Sequence, residues 1–359
     1  MIIQGGGTIR RDESDRSLLY DKANLSNYKM VKEGDFIVHL RSFEGGLEKA
    51  TNTGIISPAY HTFHGENTDS RFYYSYFRSK KFIDIDLKPH VYGIRDGRSI
   101  DIEGMKTIKI PSTSYEEQKA IGTFIEHLDN LITLHQRKYD KLTNVKKSML
   151  EKMFPKNGSN VPEIRFKGFS DAWEQRKAVD IADYSKGNGY SKSDLTENGT
   201  PIILYGRLYT KYQFAIDEVD TFATPKDGSI YSQGNEVIIP ASGETAEDIA
   251  RASAVEKSGI LLGGDLNILR PFNFINPLFL ALTISNGEPQ KELAKKAQGK
   301  SVVHIHNSDI QEVTVSFPTR EQDRIVAVFR SLDNLITLHQ RELEKLKNLK
   351  KACLEKMFV

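Results

Sequence analysis

The decapeptide LDNLITLHQR occurs twice in this chain of 359 residues, at positions 128–137 and again at 332–341. At the same offset of 204 positions, residues 128–154 and 332–358 are identical at 20 of 27 positions, and both segments end in LEKMF. The dipeptide Glu-Gln precedes each copy, at 117–118 and at 321–322. Because a repeat of this length does not arise by chance, the chain is two copies of one plan.

The repeated segments have the periodicity of long helices. Apolar residues recur in steps of three and four, with charged residues on the other faces, which is typical of a coiled coil. A helix from 117 to 153 would be about 55 Å long at about 1.5 Å per residue, and its apolar stripe needs a partner. We expect the two helices to pair with each other in antiparallel orientation. The predicted seam residues are Leu128, Leu131, His135 and Leu142 in one copy and Leu332, Leu335, His339 and Leu346 in the other.

Two histidines lie on this predicted seam, His135 and His339. They could form a pH switch or bind a ligand, or they could be polar seam residues that fix the register of the two helices. Neither has an acidic or thiol ligand beside it, so we favour the second interpretation.

The segments that precede the helices are of another type. The runs DFIVHL, KTIKI, EVIIP and EVTVSF predict strands, and PLFLALTIS and QKELAKKAQ predict short helices. The expected fold class is α+β, with two globular domains separated by two long antiparallel helices and related by an internal pseudo-twofold repeat. The predicted segments are a first globular domain at 1–112, a helix at 113–155, a second globular domain at 156–317 and a second helix at 318–359.

Charge and composition narrow the class of protein. Residues 156–317 carry a net charge of −4 and the other three segments carry +2, +1 and +3, for a total of +2, so a uniformly basic DNA face is excluded in the second domain. A single cysteine, Cys353, excludes a disulfide framework. The longest apolar run, at 277–284, is too short to span a bilayer, and the N-terminus lacks the order of a signal peptide. We expect a soluble cytoplasmic protein.

No complete motif for phosphate or zinc binding is found in the sequence. AKKAQGKS at 294–301 ends like a phosphate-binding loop but has alanine where the first glycine belongs, and the nine histidines and one cysteine show no zinc-ligand spacing. We therefore expect no cofactor, no metal site and no catalytic activity.

The duplicated EQ…LDNLITLHQR…LEKMF helices and the segment VPEIRFKGFSDAWEQRK at 161–177 resemble the specificity subunits of type I restriction-modification systems. The segments GIISPAY at 54–60 and SGETAEDIA at 242–250 also look like target-recognition sequence from that family. The resemblance covers nearly the whole chain.

The resemblance implies a non-catalytic subunit that binds double-stranded DNA. In this family, two target-recognition domains each read one half of a split, asymmetric site. The paired helices bind two adenine methyltransferase (modification) subunits, and restriction subunits join for cleavage. One feature departs from the family pattern, since nothing before Met1 corresponds to 161–177. We therefore expect the first domain to be shortened at its N-terminus.

Candidate DNA contacts are basic, tyrosine and serine residues on loops, because phosphates bind cations and base edges are read by side chains that reach the grooves. The alternation of Tyr and Arg at 204–212 would equally suit a strand with one buried face. The candidates are Arg41, Ser42, Arg95, Arg98 and Ser99 in the first domain, and Tyr205, Arg207, Tyr209, Lys211, Ser242, Lys300 and Ser301 in the second.

Two other classes of function are alternatives to DNA reading. A coiled-coil adaptor that joins proteins and no longer reads DNA is favoured by the net charge of −4 on the second domain and by the shortened first domain. A stand-alone enzyme has no motif to support it.

Overall fold

The computed structural model describes residues 2–3, 7–10, 13, 22–38, 47–92, 99–156, 158–299 and 301–358. The chain forms two compact units: the first comprises Met1–Lys138 with Leu338–Val359, and the second comprises Tyr139–Thr337. Both units contain helix and strand, which confirms the α+β class. No helix among the described residues is long and apolar enough to cross a membrane.

The first unit is built from short antiparallel strands around an aromatic core. Its strands are β1 (Ile2–Ile3), β2 (Gly7–Thr8), β3 (Lys29–Val31), β4 (Phe36–Val38), β5 (Glu48–Lys49), β6 (Gly54–Ile56), β7 (His61–Phe63), β8 (Val91–Tyr92) and β9 (Ser99–Ile100). Strand β4 pairs with β5 and β7, while β1 pairs with β2, β3 with β6 and β8 with β9. Its helices are α1 (Ser70–Phe77), α2 (Ile102–Met105) and the start of α3 (Tyr115–Lys152). Phe36, Phe72 and Phe77 pack in the core.

The second unit contains two five-stranded sheets within the described residues. Its strands are β10 (Glu174–Lys177), β11 (Ala182–Lys186), β12 (Leu195–Thr196), β13 (Thr200–Ile203), β14 (Ala215–Ile216), β15 (Phe222–Ala223), β16 (Tyr231–Gln233), β17 (Glu236–Pro240), β18 (Ser242–Gly243), β19 (Ser253–Val255), β20 (Ser258–Leu262), β21 (Leu266–Pro271), β22 (Val303–His304) and β23 (Thr314–Phe317). The strand orders of the two sheets are β11-β21-β17-β19-β14 and β12-β15-β13-β20-β16. In addition, β10 pairs with β23 and β18 pairs with β22. The two sheets share a core that includes Ile203, Ile238 and Ile268.

The helices of the second unit are α4 (Arg207–Thr210), α5 (Ala246–Ile249), α6 (Pro277–Ile284), α7 (Gly287–Lys296), α8 (Asn307–Gln311) and the start of α9 (Gln322–Met357). The predicted helices at 277–285 and 290–298 are confirmed by α6 and α7. Strands β4, β17 and β23 confirm three of the four predicted β runs. The fourth prediction, at 106–110, is wrong: Thr107 Oγ1 donates to Gly104 O at 2.7 Å and Ile108 N donates to Met105 O at 3.1 Å, so this run continues the turn of α2.

The long helices α3 and α9 pair in antiparallel orientation within the first unit. His135 Nδ1 lies 3.1 Å from His339 Nδ1, and Lys350 donates to Asp129. The step back along α3 from His135 to Asp129 therefore corresponds to a step forward along α9 from His339 to Lys350, so the two helices run in opposite directions. In the second unit, Lys146 Nζ lies 2.5 Å from Asp333 Oδ1 and joins the same two helices.

The seam residues in the structure follow a regular heptad spacing, and at two positions they differ from the leucines predicted to form the seam. The buried and half-buried residues of α3 include a series that alternates in steps of four and three, at 128, 132, 135, 139, 142, 146 and 149. Leu131 and Leu335, predicted seam residues, are each 44% exposed. Their places are taken by Ile132 and Ile336, which are half-buried. The prediction followed leucine, but strict alternation of four and three selects the next residue at these two equivalent positions.

The Glu-Gln dipeptide that precedes each repeat has a structural role. In the first unit, Gln118 Oε1 accepts a hydrogen bond from Asp69 N at 3.1 Å, and its Nε2 donates to Thr113 O at 2.8 Å. Asp69 is the N-cap of α1 and its carboxylate accepts from Arg71 N at 2.9 Å. Gln118 therefore ties the start of α1 to the start of α3.

The second unit repeats this arrangement with other residues. Gln322 Oε1 accepts from Asn276 N at 2.8 Å, and its Nε2 donates to Pro318 O at 2.9 Å. Asn276 is the N-cap of α6. The same glutamine thus holds the N-cap residue of a short helix in each unit.

The shared LEKMF ending has a matching role. Phe358, after the end of α9, packs in the first unit, with ring centroids 5.2 Å from Phe72 and 5.4 Å from Tyr76. Phe154, after the end of α3, packs in the second unit, 5.8 Å from Phe279 and 5.9 Å from Trp173. Each long helix therefore starts in one unit and ends in the core of the other.

Candidate DNA interface

The second unit has an open cavity of about 950 Å³ in which three of the predicted DNA-contact residues meet. Tyr205, Arg207 and Lys211 line it, together with the loop from Gly189 to Leu195. The stretch 204–212, whose alternation would suit a strand, instead forms the single helical turn α4. One helical turn places side chains three and four positions apart on the same side, which brings Arg207 and Lys211 together.

Arg207 is held by partners inside the protein. It is 9% exposed, and its Nη1 donates to Asp220 Oδ1 at 2.8 Å. Its Nη2 donates to Gln213 Oε1 and to Glu218 O, both at 2.9 Å. A phosphate would have to compete with these bonds, so the geometry gives Arg207 the role of shaping the cavity wall. Its contact with DNA stays a prediction.

Lys211 is exposed and shares the same carboxylate. Its Nζ donates to Asp220 Oδ2 at 2.7 Å. This bond, followed by a backbone hydrogen bond, lowers the pKa of Asp220 to about 2, so the carboxylate is ionised at neutral pH. Because the side chains of Lys211 and Asp220 are both exposed, this ion pair is weak. Lys211 is therefore available to bind a phosphate.

Tyr205 presents an open aromatic surface to the cavity. It is 38% exposed, and its ring packs edge-on against Tyr209 at 6.3 Å. Tyr209 does not line the cavity: its OH donates to Ser242 O at 2.7 Å, and the Arg251 guanidinium lies over its ring at 5.3 Å. Burial raises the pKa of Tyr209. Tyr205 is thus placed to contact a ligand, and Tyr209 supports it.

One cation on this cavity was missed in the sequence. Lys192 is exposed, lines the cavity and makes no ion pair within the residues that the structure describes. Nearby, Lys226 pairs with Asp194 and lies over the Tyr190 ring at 4.9 Å. The pair with Lys226 lowers the pKa of Asp194 to about 2. In the sequence, Lys192 is a lysine between two serines after a glycine turn, and this pattern is too common to identify a DNA-binding residue.

The serine candidates Ser242 and Ser301 do not line this cavity. Ser242 is 8% exposed and its Oγ lies 3.1 Å from His304 Nδ1, across the β18–β22 pair. Ser301 is exposed, and Ser99 is half-buried in β9 of the first unit. The remaining candidates lie outside the described residues: Arg41, Ser42, Arg95, Arg98 and Lys300.

Among the described residues, no group of three or more His, Cys, Asp or Glu side chains is placed to hold a metal ion.

The model of the type I restriction modification DNA specificity domain matches two segments of the chain, residues 18–144 and 170–348. The chain belongs to this family. Its members are the DNA-recognition subunits of type I systems and are not themselves enzymes.

A relative and two solved structures are among the proteins similar to this chain. The specificity subunit of the type I restriction enzyme MjaVIII from Methanocaldococcus jannaschii is 25% identical over 270 residues, which cover 70% of this chain and 61% of that protein. The match thus spans less than two thirds of the relative's length. The S subunit structure from M. genitalium superposes with a TM-score of 0.61 at 14% identity, covering 92% of this chain and 84% of the other. The HsdS subunit from Thermoanaerobacter tengcongensis gives a TM-score of 0.46 at 18% identity, covering 92% and 81%.

Proposed function

We propose that this chain is the specificity subunit of a type I restriction-modification complex and reads a bipartite, asymmetric DNA site. The observation that carries the proposal is that the family model matches twice, once on each globular segment. Each match falls largely on a globular segment with its own core, at 18–144 and at 170–348. Two recognition domains that have diverged in sequence would read two different half-sites.

In the second unit, the proposed DNA surface is the rim of the 950 Å³ cavity. Lys192 and Lys211 would contact phosphates as point charges, and Tyr205 would contact sugar or base edges. Tyr209, Ser242, Lys300 and Ser301 are proposed as further contacts, and Arg207 is proposed as a contact where the cavity wall meets DNA. In the first unit the proposed contacts remain Arg41, Ser42, Arg95, Arg98 and Ser99.

A binding experiment separates these roles. Lys192→Ala should weaken binding to every DNA sequence alike and reduce the salt dependence by about one counterion, because it removes a phosphate contact. Tyr205→Ala should cost about 1–3 kcal/mol for the cognate site alone if it reads a base. Lys167→Ala is the control, because Lys167 is an exposed lysine of the second unit that does not line the cavity. Gel shifts with the methyltransferase subunits bound would measure all three.

The same experiment tests the alternative function. A coiled-coil adaptor would bind the methyltransferase subunits but retain no sequence preference. If the assembled complex binds a mapped methylation site no better than random duplex, DNA reading is refuted and the adaptor function stands.

The exposed leucines of the repeat are the proposed docking site for two modification subunits. Leu131 and Leu134 are 44% and 46% exposed, and their equivalents Leu335 and Leu338 are 44% and 52% exposed. Packing within the chain does not require these exposed residues to be identical in the two repeats. Binding the same partner protein once on each repeat would require it. We infer that each copy binds one adenine methyltransferase subunit, and that restriction subunits join this assembly.

Leu131→Asp with Leu134→Asp tests this docking. The pair should remove one methyltransferase subunit from the complex, counted by native mass spectrometry, with little effect on stability because both side chains face solvent. Ile132→Asp is the contrast, since it places a charge on the seam and should destabilise the first unit. A complex that keeps two methyltransferase subunits with both leucines replaced would refute the assignment.

A further inference from the structure

The first unit has a second open cavity, of about 780 Å³, which the proposed DNA contacts do not use. It lies where the segment after α1 meets the last turns of α9. Apolar side chains line it: Ile85, Ile132, Leu354 and Phe358. Ile85 is 65% exposed, so most of its apolar surface is open to a partner.

Cations surround this apolar surface. Two of them are engaged within the unit: Arg78 Nη1 lies 2.9 Å from Glu48 Oε1, and Lys350 pairs with Asp129. Four lysines on the cavity make no ion pair within the described part of the chain, namely Lys80, Lys81, Lys347 and Lys351. The acids on the cavity are Asp84, Asp129 and Glu355, so positive charge is in excess.

The equivalent position in the second unit is nearly closed. There Lys146 and Leu150 stand where Lys350 and Leu354 stand in the first unit, and the remaining cavity is about 200 Å³. Tyr212 and Phe214 line the smaller cavity. Their segment is fixed by hydrogen bonds from Tyr212 OH to Ala252 O at 3.2 Å and to Ser285 Oγ at 3.1 Å. The second unit therefore fills with its own aromatic side chains a space that the first unit leaves open.

We propose that the cavity of the first unit binds an acidic amphipathic segment of a protein partner, once per chain. The apolar lining requires an apolar face on the occupant, and the four free ammonium groups require carboxylates beside that face. A DNA backbone offers the negative charge but no apolar face for Ile85 and Leu354. The partner is a protein subunit of the restriction-modification assembly, so this inference rests on the proposed function. Because the second unit lacks the open cavity, the contact breaks the twofold equivalence of the two helix copies.

Photo-crosslinking in the assembled complex tests this occupant. The photoreactive residue p-benzoylphenylalanine replaces Ile85 in the full chain, which is then assembled with its methyltransferase and restriction subunits on DNA. The expected product is one crosslink per chain to an Asp- or Glu-rich segment of a partner subunit, located by mass spectrometry. A crosslink to DNA, to this chain itself or to a second copy of it would overturn the proposal. Absence of any crosslink in a complex that assembles and binds DNA would do the same.

A matched pair of charge reversals gives a second measurement. Lys351 and Lys147 occupy equivalent positions in the two repeats and both are exposed. Lys351→Glu should weaken association of the crosslinked partner about tenfold, whereas Lys147→Glu should leave it unchanged. DNA affinity is measured in parallel. If it falls with Lys351→Glu while partner association holds, the cavity is a phosphate contact instead. A complex that never assembles, even with the unaltered chain, would instead refute the proposed function.

Discussion

The two units of this chain are alike where the long helices begin and end, and unlike where their surfaces are open. In both, a glutamine at the start of a long helix holds the N-cap residue of a short helix, and a phenylalanine after the end of the other long helix packs on that short helix. In contrast, the cavity beside this junction is open and basic in the first unit, whereas in the second unit it is only about 200 Å³ and is lined by Tyr212 and Phe214. The repeat therefore preserves the frame and leaves the binding surfaces free to differ.

The glutamate of the repeated Glu-Gln dipeptide shows the same contrast within one pair of residues. Glu321 is 1% exposed, and its Oε1 accepts from Arg165 Nε and from Trp173 Nε1, both at 3.0 Å. The side chain of its equivalent Glu117 is exposed and accepts a hydrogen bond from the nearby Thr113 Oγ1. The glutamine of the dipeptide thus has the same role in both units. The role of the glutamate depends on the segment that packs over it.

The largest expected effect comes from the two terminal phenylalanines. Phe154→Ala and Phe358→Ala should each cost about 3–5 kcal/mol, because each leaves a cavity among packed aromatic rings. Hydrogen exchange would show which unit loosens: residues 139–337 for Phe154→Ala, and residues 22–138 with 338–358 for Phe358→Ala. If both variants loosen the same unit, the assignment of the helix ends to opposite units is wrong.

Glu321→Gln and Glu117→Gln test the difference between the dipeptides. Glu321→Gln should destabilise the second unit by about 3 kcal/mol, because Arg165 would keep a largely buried charge without its partner. Glu117→Gln should change stability by less than about 0.5 kcal/mol, as expected for an exposed side chain. Denaturant unfolding followed by Trp173 fluorescence reports the second unit, since Trp173 is the chain's one tryptophan, and hydrogen exchange at the start of α3 reports the first. Equal effects from the two changes would contradict the contrast drawn between the units.

The glutamines should behave alike. Gln118→Ala and Gln322→Ala should each cost about 1–3 kcal/mol, because the N–H of Asp69 or Asn276 loses its acceptor in a buried setting. Faster amide exchange in α1 or α6, respectively, would locate each loss. Gln340→Ala, at an exposed position of α9, is the control. An effect in one unit only would show that the junctions are less similar than their hydrogen bonds.

The sequence predicts the frame well because the frame is what the repeat preserves. The long helices, their pairing and the class of both domains follow from period and identity. The seam was misplaced at Leu131 and Leu335, because a leucine there and an isoleucine one residue later satisfy similar spacing rules, and only the packed pair distinguishes them. The internal bonds of Arg207 could not be predicted, since its acceptors at 213, 218 and 220 come near only after the chain folds back. The closing of one cavity by Tyr212 depends on tertiary contacts in the same way.

The smallest expected effect is a pH dependence confined to the first unit. His135 Nδ1 and His339 Nδ1 are 3.1 Å apart, a distance at which one nitrogen donates and the other must accept. Desolvation, and then the charges of His135 and Lys138, lower the pKa of His339 below its ordinary value of 6.5. The unfolded chain therefore binds a proton here more readily than the folded chain. This contribution to stability is fully present above pH 6.5 and is lost as the pH falls from 6.5 through the lower folded pKa.

Replacing the pair should remove that dependence. Between about pH 7.5 and about pH 5.5, hydrogen exchange in α3 near His135 should accelerate in the unaltered chain more than in His135→Gln with His339→Gln, whose amides do not titrate. His127→Gln is the control, because His127 lies exposed on the same helix and outside the seam. For each chain, the exchange rate of this segment at the lower pH is divided by its rate at the higher pH, after correction for the intrinsic pH dependence of amide exchange. If the doubly substituted chain loosens as much as the unaltered one on acidification, the histidine pair fixes register without sensing pH.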